Sequence, residues 1–487
     1  MANTLIKIVE GVTRHPDYRM AKPLNFELHK GESVAICGPN GGGKSLFVDV
    51  LTGAHPLLGD AIKYDFEGED NKAATNVRLV TFRDVYGGNE PAYYQQRWNQ
   101  ADEQVFPTVD EVLKQAFHAW NDTKEVPQIL LNQSLLDELG IFEHIEKPTN
   151  LLSSGELRRM QLAKMLMSSP QVLIVDNPYI GLDKVARKML TRVLEKLSKS
   201  LTLVLVVSRE EDIPSFIERI VWIEDKEVKY DVKSSDFDEK RHAESVLNAP
   251  SDIVIPTSSN VHTAQQESVI DFRNIHIQYG KRTILDQLNW DVKRGEHWAL
   301  MGENGAGKST LLSLVCADNP QGYACDIRLF GNQRGKGESI WEIKKHIGYV
   351  SPEIFSTYRR PLPAIDIIAS GMHDTIGLYK RPTEEERAHC LEWMKAFGAD
   401  HLAERGYMQL STGEQRLVLL VRAFVKNPDL LILDEPFHGL DNHYRLRAQA
   451  LIDQYMRDPS KTLIMVTHYE EELPHCIDHE LRLKKHV

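Results

Sequence analysis

Short apolar runs come in matched pairs along this chain. Ser33-Val34-Ala35-Ile36-Cys37 and His297-Trp298-Ala299-Leu300-Met301 each lead into a glycine-rich turn. The segments after the turns, Leu46-Phe47-Val48-Asp49-Val50-Leu51 and Leu311-Leu312-Ser313-Leu314-Val315, read as helices packed on a sheet. Val172–Val175 and Leu430–Leu433 are continuous apolar runs, the pattern of parallel strands buried on both faces. Between turn and second strand lies helical periodicity, over Gln128–Leu139 and Glu384–Phe397. It predicts a helical subdomain inserted into each α/β core.

The pairing is a duplication. Lys44 and Lys308, at the ends of the two glycine turns, lie 264 positions apart. Leu152-Ser153-Ser154-Gly155-Glu156 returns as Leu410-Ser411-Thr412-Gly413-Glu414, and Val172–Asp176 as Leu430–Asp434, both shifted by 258. Gly181-Leu182-Asp183 returns as Gly439-Leu440-Asp441. A period this long marks two domains and not a solenoid. We read a first domain over 1–230, a linker over 231–267 and a second domain over 268–487. The linker reading rests on the charge of Asp231–Glu244 and the Ser, Thr and Pro of Pro250–Gln266, with one short helix expected around Glu239–Leu247.

Bulk composition narrows the class. The 487 residues are 42% apolar and 26% charged, ordinary for a globular protein, and carry a net charge of −12. That balance argues against broad nucleic-acid binding, which needs clustered Lys and Arg. Five cysteines without a C-x-x-C pair suit reduced, mostly buried thiols. Leu201–Val207 is too short to span a bilayer, and Met1–Thr4 does not open a secretion signal, so a cytoplasmic protein is expected. Any membrane association, peripheral on the cytoplasmic face, would run through a partner.

The chemistry begins at the turns. Gly38-Pro39-Asn40-Gly41-Gly42-Gly43-Lys44-Ser45 and Gly302-Glu303-Asn304-Gly305-Ala306-Gly307-Lys308-Ser309-Thr310 both have the form G-x-x-x-x-G-K-[ST] between strand and helix. In such a P-loop, glycines let successive N–H groups turn inward around phosphate oxygens. The helix N-terminus adds positive potential, the Lys reaches the terminal phosphates, and the Ser holds Mg²⁺. Asp176 and Asp434, each ending an apolar strand, are the expected Mg²⁺ partners of Ser45 and Ser309.

Leu152–Glu156 and Leu410–Glu414 stand at the same distance before those aspartates, and they resemble the signature motif of ATP-binding cassette (ABC) proteins. The resemblance covers nearly the whole chain apart from the linker. It implies two P-loop ATPase domains that pair head to tail within one chain, the signature helix of one capping ATP on the P-loop of the other. Ser153, Ser154, Gly155 and Glu156, and Ser411, Thr412, Gly413 and Glu414, would then contact nucleotide. Ser with Glu three residues on is also an ordinary helix-capping box, and both roles fit together. By the same resemblance Tyr279 stacks on adenine in preference to serving as a plain strand tyrosine, whereas Tyr18 reads equally well either way.

The halves differ in what they offer water. Glu435, in Asp434-Glu435-Pro436, matches the family's general base, and His468, in Val-Thr-His, its γ-phosphate-contacting histidine. The first half reads Asp176-Asn177-Pro178, and an amide cannot take a proton from water at neutral pH. Counting back from Pro214 and Pro474 sets Ser208 against His468, and a one-residue slip would set Arg209 there. The expectation is one competent site, joining the second P-loop, Asp434, Glu435 and His468 to the first signature. A second, weak site would join Lys44, Ser45 and Asp176 to the second signature.

Other features are harder to absorb. Neither Val77–Phe82 nor Ile347–Pro352 ends in the Gln that links Mg²⁺ to the helical subdomain in this family; Gln95, Gln96 or Gln104 could substitute in the first half. Tyr93–Asn99 reads either as a partner-docking surface or as a loop packed on its own domain. His475-Cys476-x-x-His479 lacks a fourth metal donor nearby. Asn319–Tyr323, Glu338–Val350 and the Tyr93–Asn99 run resemble the ModF/PhrA group of tandem cassettes, named for molybdate transport and photorepair. That likeness implies a peripheral ATPase working with integral membrane transporter subunits. The alternative is a stand-alone regulatory or translation-associated ATPase. The short linker and acidic charge count against a ribosomal role, since translation-acting cassettes carry a charged helical arm and tend to be basic.

Overall fold

The computed structural model describes residues 3–68, 70–82, 106–120, 136–137, 139–149, 152, 154–241, 253–256, 267–280, 282–358, 360–375 and 381–485. Over the described residues the chain divides into two compact units, one within 1–249 and one within 250–487. Both are α/β.

The first unit has strands β1 (Thr4–Gly11), β2 (Leu24–His29), β3 (Ser33–Cys37), β4 (Ile62–Tyr64), β5 (Val77–Thr81), β6 (Val172–Asp176), β7 (Thr202–Val206), β8 (Arg219–Glu224) and β9 (Glu227–Lys233). Its central sheet runs β5-β6-β7-β3-β8-β9, parallel except for the β8–β9 hairpin, and a small antiparallel sheet β2-β1-β4 accompanies it. The all-apolar runs of β3, β6 and β7 occupy the middle of that order, where both faces are covered. Its longer helices are α1 (Lys44–Leu51), α2 (Val109–Trp120), α3 (Ser154–Leu166), α4 (Lys184–Leu197) and α5 (Ser234–Arg241).

Two findings differ from the sequence reading. Glu227–Lys233 continues the first unit as β9 and Ser234–Arg241 forms α5, with Phe237 buried beside Trp222. Charge density suggested a linker from 231, but the alternation Val228, Tyr230, Val232 is a strand's period and the hairpin partner is adjacent. The short helix therefore begins earlier than Glu239. Most of Gln128–Leu139 lies outside the described residues.

The second unit repeats the plan. Its strands are β10 (Ser268–Tyr279), β11 (Arg282–Lys293), β12 (His297–Gly302), β13 (Asp326–Leu329), β14 (Asn332–Gln333), β15 (Ile347–Val350), β16 (Leu430–Asp434), β17 (Thr462–Val466) and β18 (His479–Leu483). A parallel sheet β15-β16-β17-β12-β18 carries the core, with an antiparallel sheet β11-β10-β13-β14. Helices α6 (Lys308–Val315), α7 (Pro352–Thr357), α8 (Ala364–Ala369), α9 (Glu384–Phe397), α10 (Thr412–Phe424) and α11 (Asn442–Tyr455) are placed around it. The expected helix over Glu384–Phe397 is α9, opened by the capping box of Thr383 and Glu386 and closed by Gly398 in the left-handed region. Trp393, Phe397, Phe424 and Tyr455 pack edge to face where α9, α10 and α11 meet. No described helix is long and apolar enough to cross a membrane.

Candidate functional site: two phosphate loops and an acidic turn

Both glycine loops fold alike because the same three positions demand a left-handed backbone. Gly38, Gly41 and Gly43 have φ of 145°, 74° and 107°, and Gly302, Gly305 and Gly307 have 148°, 80° and 98°. A side chain is disfavoured at such angles. Position 38 is the tightest: a Cβ there would stand 1.9 Å from the Ile223 carbonyl oxygen. The loops wrap onto the N-termini of α1 and α6, where Gly43 and Gly307 are caps without a side-chain hydrogen bond. Backbone N–H groups at such an end face outward and favour an anion.

The lysines are gathered in. Lys44 Nζ donates to the Gly38 and Pro39 carbonyls at 2.6 and 2.8 Å, and Lys308 Nζ to those of Gly302 and Glu303 at 2.6 and 3.1 Å. Ser45 and Ser309 follow them on the first helical turn, with Thr310 buried behind. Asp176 and Asp434 end β6 and β16 in register with Val206 and Val466. Among the described residues no three His, Cys, Asp or Glu side chains gather as metal ligands. Each half thus offers one hydroxyl and one carboxylate, a sparse hard-oxygen set that suits an ion taking its other ligands from phosphate and water, as Mg²⁺ does.

After each aspartate the chain makes one and the same turn. Asn177 and Glu435 both take positive φ, 50° and 51°, and their N–H groups donate to the Val206 and Val466 carbonyls at 2.8 Å. This register aligns Val206 with Val466, so Ser208 and not Arg209 is the counterpart of His468. Ser208 Oγ lies 3.4 Å from Asn177 Oδ1, just as His468 Nε2 lies 3.0 Å from Glu435 Oε1.

The contents of the two turns diverge. Asn177 donates its amide to Asp176 Oδ1 at 2.8 Å. Glu435 instead meets two imidazoles, His468 at Oε1 and His438 Nδ1 at 2.7 Å from Oε2. Both ring nitrogens contact the carboxylate at ion-pair distance but off the hydrogen-bond axis. Burial alone would raise the Glu435 carboxyl; the charge and contact of His438, joined by His468, outweigh it and hold the group well below the usual carboxylate range. His438 was missed by sequence reasoning, because a histidine between Phe437 and Gly439 carries no motif of its own. Its signal was the comparison with Ile180, the residue at the same step of the first turn.

The second signature segment behaves as its capping box requires. Ser411 Oγ accepts from Glu414 N at 3.3 Å, Glu414 Oε2 accepts from Ser411 N at 2.7 Å, and Thr412 and Gly413 begin α10. Glu414 Oε1 also takes Arg405 Nη1 at 2.9 Å. In the first half Glu156 pairs with Lys147 at 2.9 Å and His144 at 3.3 Å. Lys147 is 258 positions before Arg405, so the ion pair is duplicated too. Gly155 is buried on α3, while Ser153 and the Ser154 side chain lie outside the described residues. One rigid link ties signature helix to acidic turn in each half: Arg158 donates to the Pro178 carbonyl, and Arg416 to that of His438 at 3.0 Å.

Tyr279 is half-buried against the core, and its hydroxyl accepts from Asn319 Nδ2 at 3.0 Å. Tyr18 is exposed and stacks on His55 with centroids 4.1 Å apart. Where the family places Gln, Ser351 caps α7, accepting from Ile354 N at 3.3 Å. Gln95, Gln96, Gln104 and the Tyr93–Asn99 run lie outside the described residues. His479 stacks on Trp298 and pairs with Asp478 at 2.6 Å, while burial first of all pushes the Cys476 thiol up to about 12.

Comparison with known proteins agrees with this geometry. The family model for the ABC transporter fits residues 21–180 and 285–438. The "ABC transporter ATP-binding protein ModF" of Escherichia coli K12 is 34% identical over 98% of this chain and 96% of its own length. An uncharacterized ABC transporter ATP-binding protein of Schizosaccharomyces pombe is 29% identical over 95% of this chain and 94% of its own. Among solved structures, an archaeal ribosome recycling factor in complex with a ribosomal stalk protein shares the fold, with TM-score 0.54 at 19% identity, covering 97% of this chain and 87% of its own. Two phosphate loops, two acidic turns and two signature helices in one polypeptide, together with these likenesses, show that the chain belongs to the ABC transporter family as a tandem ATP-binding, ModF-like ATPase.

Proposed function

We propose that the two halves divide the work: the second hydrolyses ATP, and the first chiefly holds it. The observation that carries this reading is the content of the two turns. Glu435 is an ionised carboxylate between imidazoles, and Asn177 is an amide bonded to Asp176. In the second half Lys308 and the P-loop amides bind the phosphates, Glu435 takes the proton of the attacking water, and His468 moves from Glu435 to the terminal phosphate. Mg²⁺, held by Ser309 and Asp434 and in the first half by Ser45 and Asp176, would neutralise phosphate charge. Losing a positioned base costs roughly 10²–10⁴ in rate. Glu435→Gln is therefore expected to abolish steady-state turnover while ATP binding persists; substantial turnover in that variant would refute the division.

At the level of the cell, we propose a peripheral ATPase serving a membrane transporter of the molybdate type. Support comes from the likeness to ModF over nearly the full length of both chains. The test is what co-purifies with Glu435→Gln protein trapped with ATP. Integral membrane subunits support the proposal; ribosomes, or no partner, overturn it.

A further inference from the structure

His438 stands outside the roles assigned above, yet it makes the shorter of the two contacts to Glu435. We propose that His438 is a positioning residue for ATP hydrolysis, anchoring one carboxylate oxygen of Glu435 so that the other is the one presented to water. The inference rests on Glu435 being the base.

A glutamate side chain has three rotatable bonds, and a base that swings samples unproductive geometries. Glu435 Oε2 lies 2.7 Å from His438 Nδ1, and Oε1 lies 3.0 Å from His468 Nε2. If both imidazoles stay, neither oxygen is free to receive a proton. When His468 leaves for phosphate, Oε1 is released while Oε2 remains held. The asymmetry between the oxygens is thus built in by which histidine can move.

His438 is suited to the fixed role. Its side chain is 4% exposed, its N–H donates to the Glu435 carbonyl at 3.3 Å, and its carbonyl takes Arg416 from α10. The ring edge packs on Tyr469 at 6.4 Å between centroids. Its Nε2 is buried with no hydrogen-bond partner among the described residues. Nδ1, likewise off any hydrogen-bond axis, meets Glu435 Oε2 at 2.7 Å. Among the described residues no other hydrogen bond engages the imidazole.

The duplicated half supplies an internal comparison. The first turn is closed by Ile180 N donating to the Asn177 carbonyl at 3.5 Å, the equivalent backbone bond, but with an apolar side chain. Where the carboxylate is missing, the imidazole that would hold it is missing too.

The test uses the full chain, with steady-state kcat and KM for MgATP and equilibrium binding of a fluorescent ATP analogue. Measured in parallel, His438→Ile should lower kcat roughly tenfold or more, with KM and analogue affinity within about twofold. His438→Asn places an amide nitrogen at the Nδ1 position and should recover part of the lost kcat. An unchanged kcat in His438→Ile overturns the proposal. So does a parallel loss of analogue binding, or no recovery with Asn, since either indicates packing rather than positioning. Glu435→Gln in the same series separates the two levels: substantial turnover there removes the base assignment itself, whereas its loss alongside an indifferent His438→Ile removes only the positioning role.

Discussion

Asn177 and Glu435 occupy one backbone position in two copies, with φ of 50° and 51° and the same 2.8 Å amide bond to the neighbouring strand. The side chains at this step therefore differ while the backbone that presents them does not. A single substitution is not enough to equalise them. Asn177→Glu would bury a carboxylate beside Ser208 and Ile180, with neither imidazole to hold its charge. We expect less than about a twofold gain in turnover and a stability loss of about 1–3 kcal/mol, read from the urea midpoint. Adding Ile180→His and Ser208→His should recover stability; a large gain from Asn177→Glu alone would show that the flanking histidines are dispensable.

The phosphate loops are less interchangeable than their φ angles suggest. A Cβ on Gly42 would stand 2.8 Å from the Ile223 carbonyl oxygen and 2.9 Å from that of Pro39, whereas Ala306 fills the same step of the second loop. Gly42→Ala should displace the first loop and destabilise it by about 1–3 kcal/mol. Nucleotide affinity of the Glu435→Gln protein should then fall at one site only. Loss at both sites, or none, would contradict this.

Acid sensitivity should reside at the strand ends remote from the glycine loop. Buried Asp429 receives His346 Nδ1 at 2.6 Å and lies 3.6 Å from Arg294. Burial raises its pKa, but the His346 bond and the charges of His346, Arg294 and Lys461 prevail and hold it below its ordinary value. A carboxyl lower in the folded than in the unfolded chain adds stability that is complete above the unfolded pKa, about 4. That stability is lost as pH falls through the folded value. Asp429→Asn should lower the urea midpoint at neutral pH and flatten its decline below about pH 4; parallel acid limbs for both proteins would exclude Asp429 as a contributor.

Ser411→Ala removes the reciprocal cap of α10 and should cost about 1 kcal/mol, while Ser411→Asp should retain most of that. Equal losses would mean that the cap bond to Glu414 N is not what stabilises this helix start.

Much of this arrangement is legible in the sequence because it rests on short-range rules. The glycine loops, the apolar strands ending in Asp176 and Asp434, and the Ser411–Glu414 box are each set by neighbours within a few residues. The pairing of Ser208 with His468 needed strand register, since counting alone left Arg209 open. Strand β9 was hidden because its outward positions carry charge, which masks the alternation of Val228, Tyr230 and Val232. His438 was invisible for a different reason: its meaning lies in one contact three residues back, in a turn whose shape no motif encodes. The Ser351 cap shows the reverse case, a familiar strand end turned to helix initiation.

The left-handed turn after each strand also bears on how such a chain changes over generations. Asparagine tolerates that backbone better than glutamate does, and it needs no buried counter-charge. Under the proposed division of work, folding preference alone would favour Asn in a copy relieved of cleaving nucleotide. On the proposed division of work the return is steeper, because a carboxylate at 177 would stand without the histidines that meet Glu435. If the proposed division holds, specialisation of one copy is easier to enter than to leave.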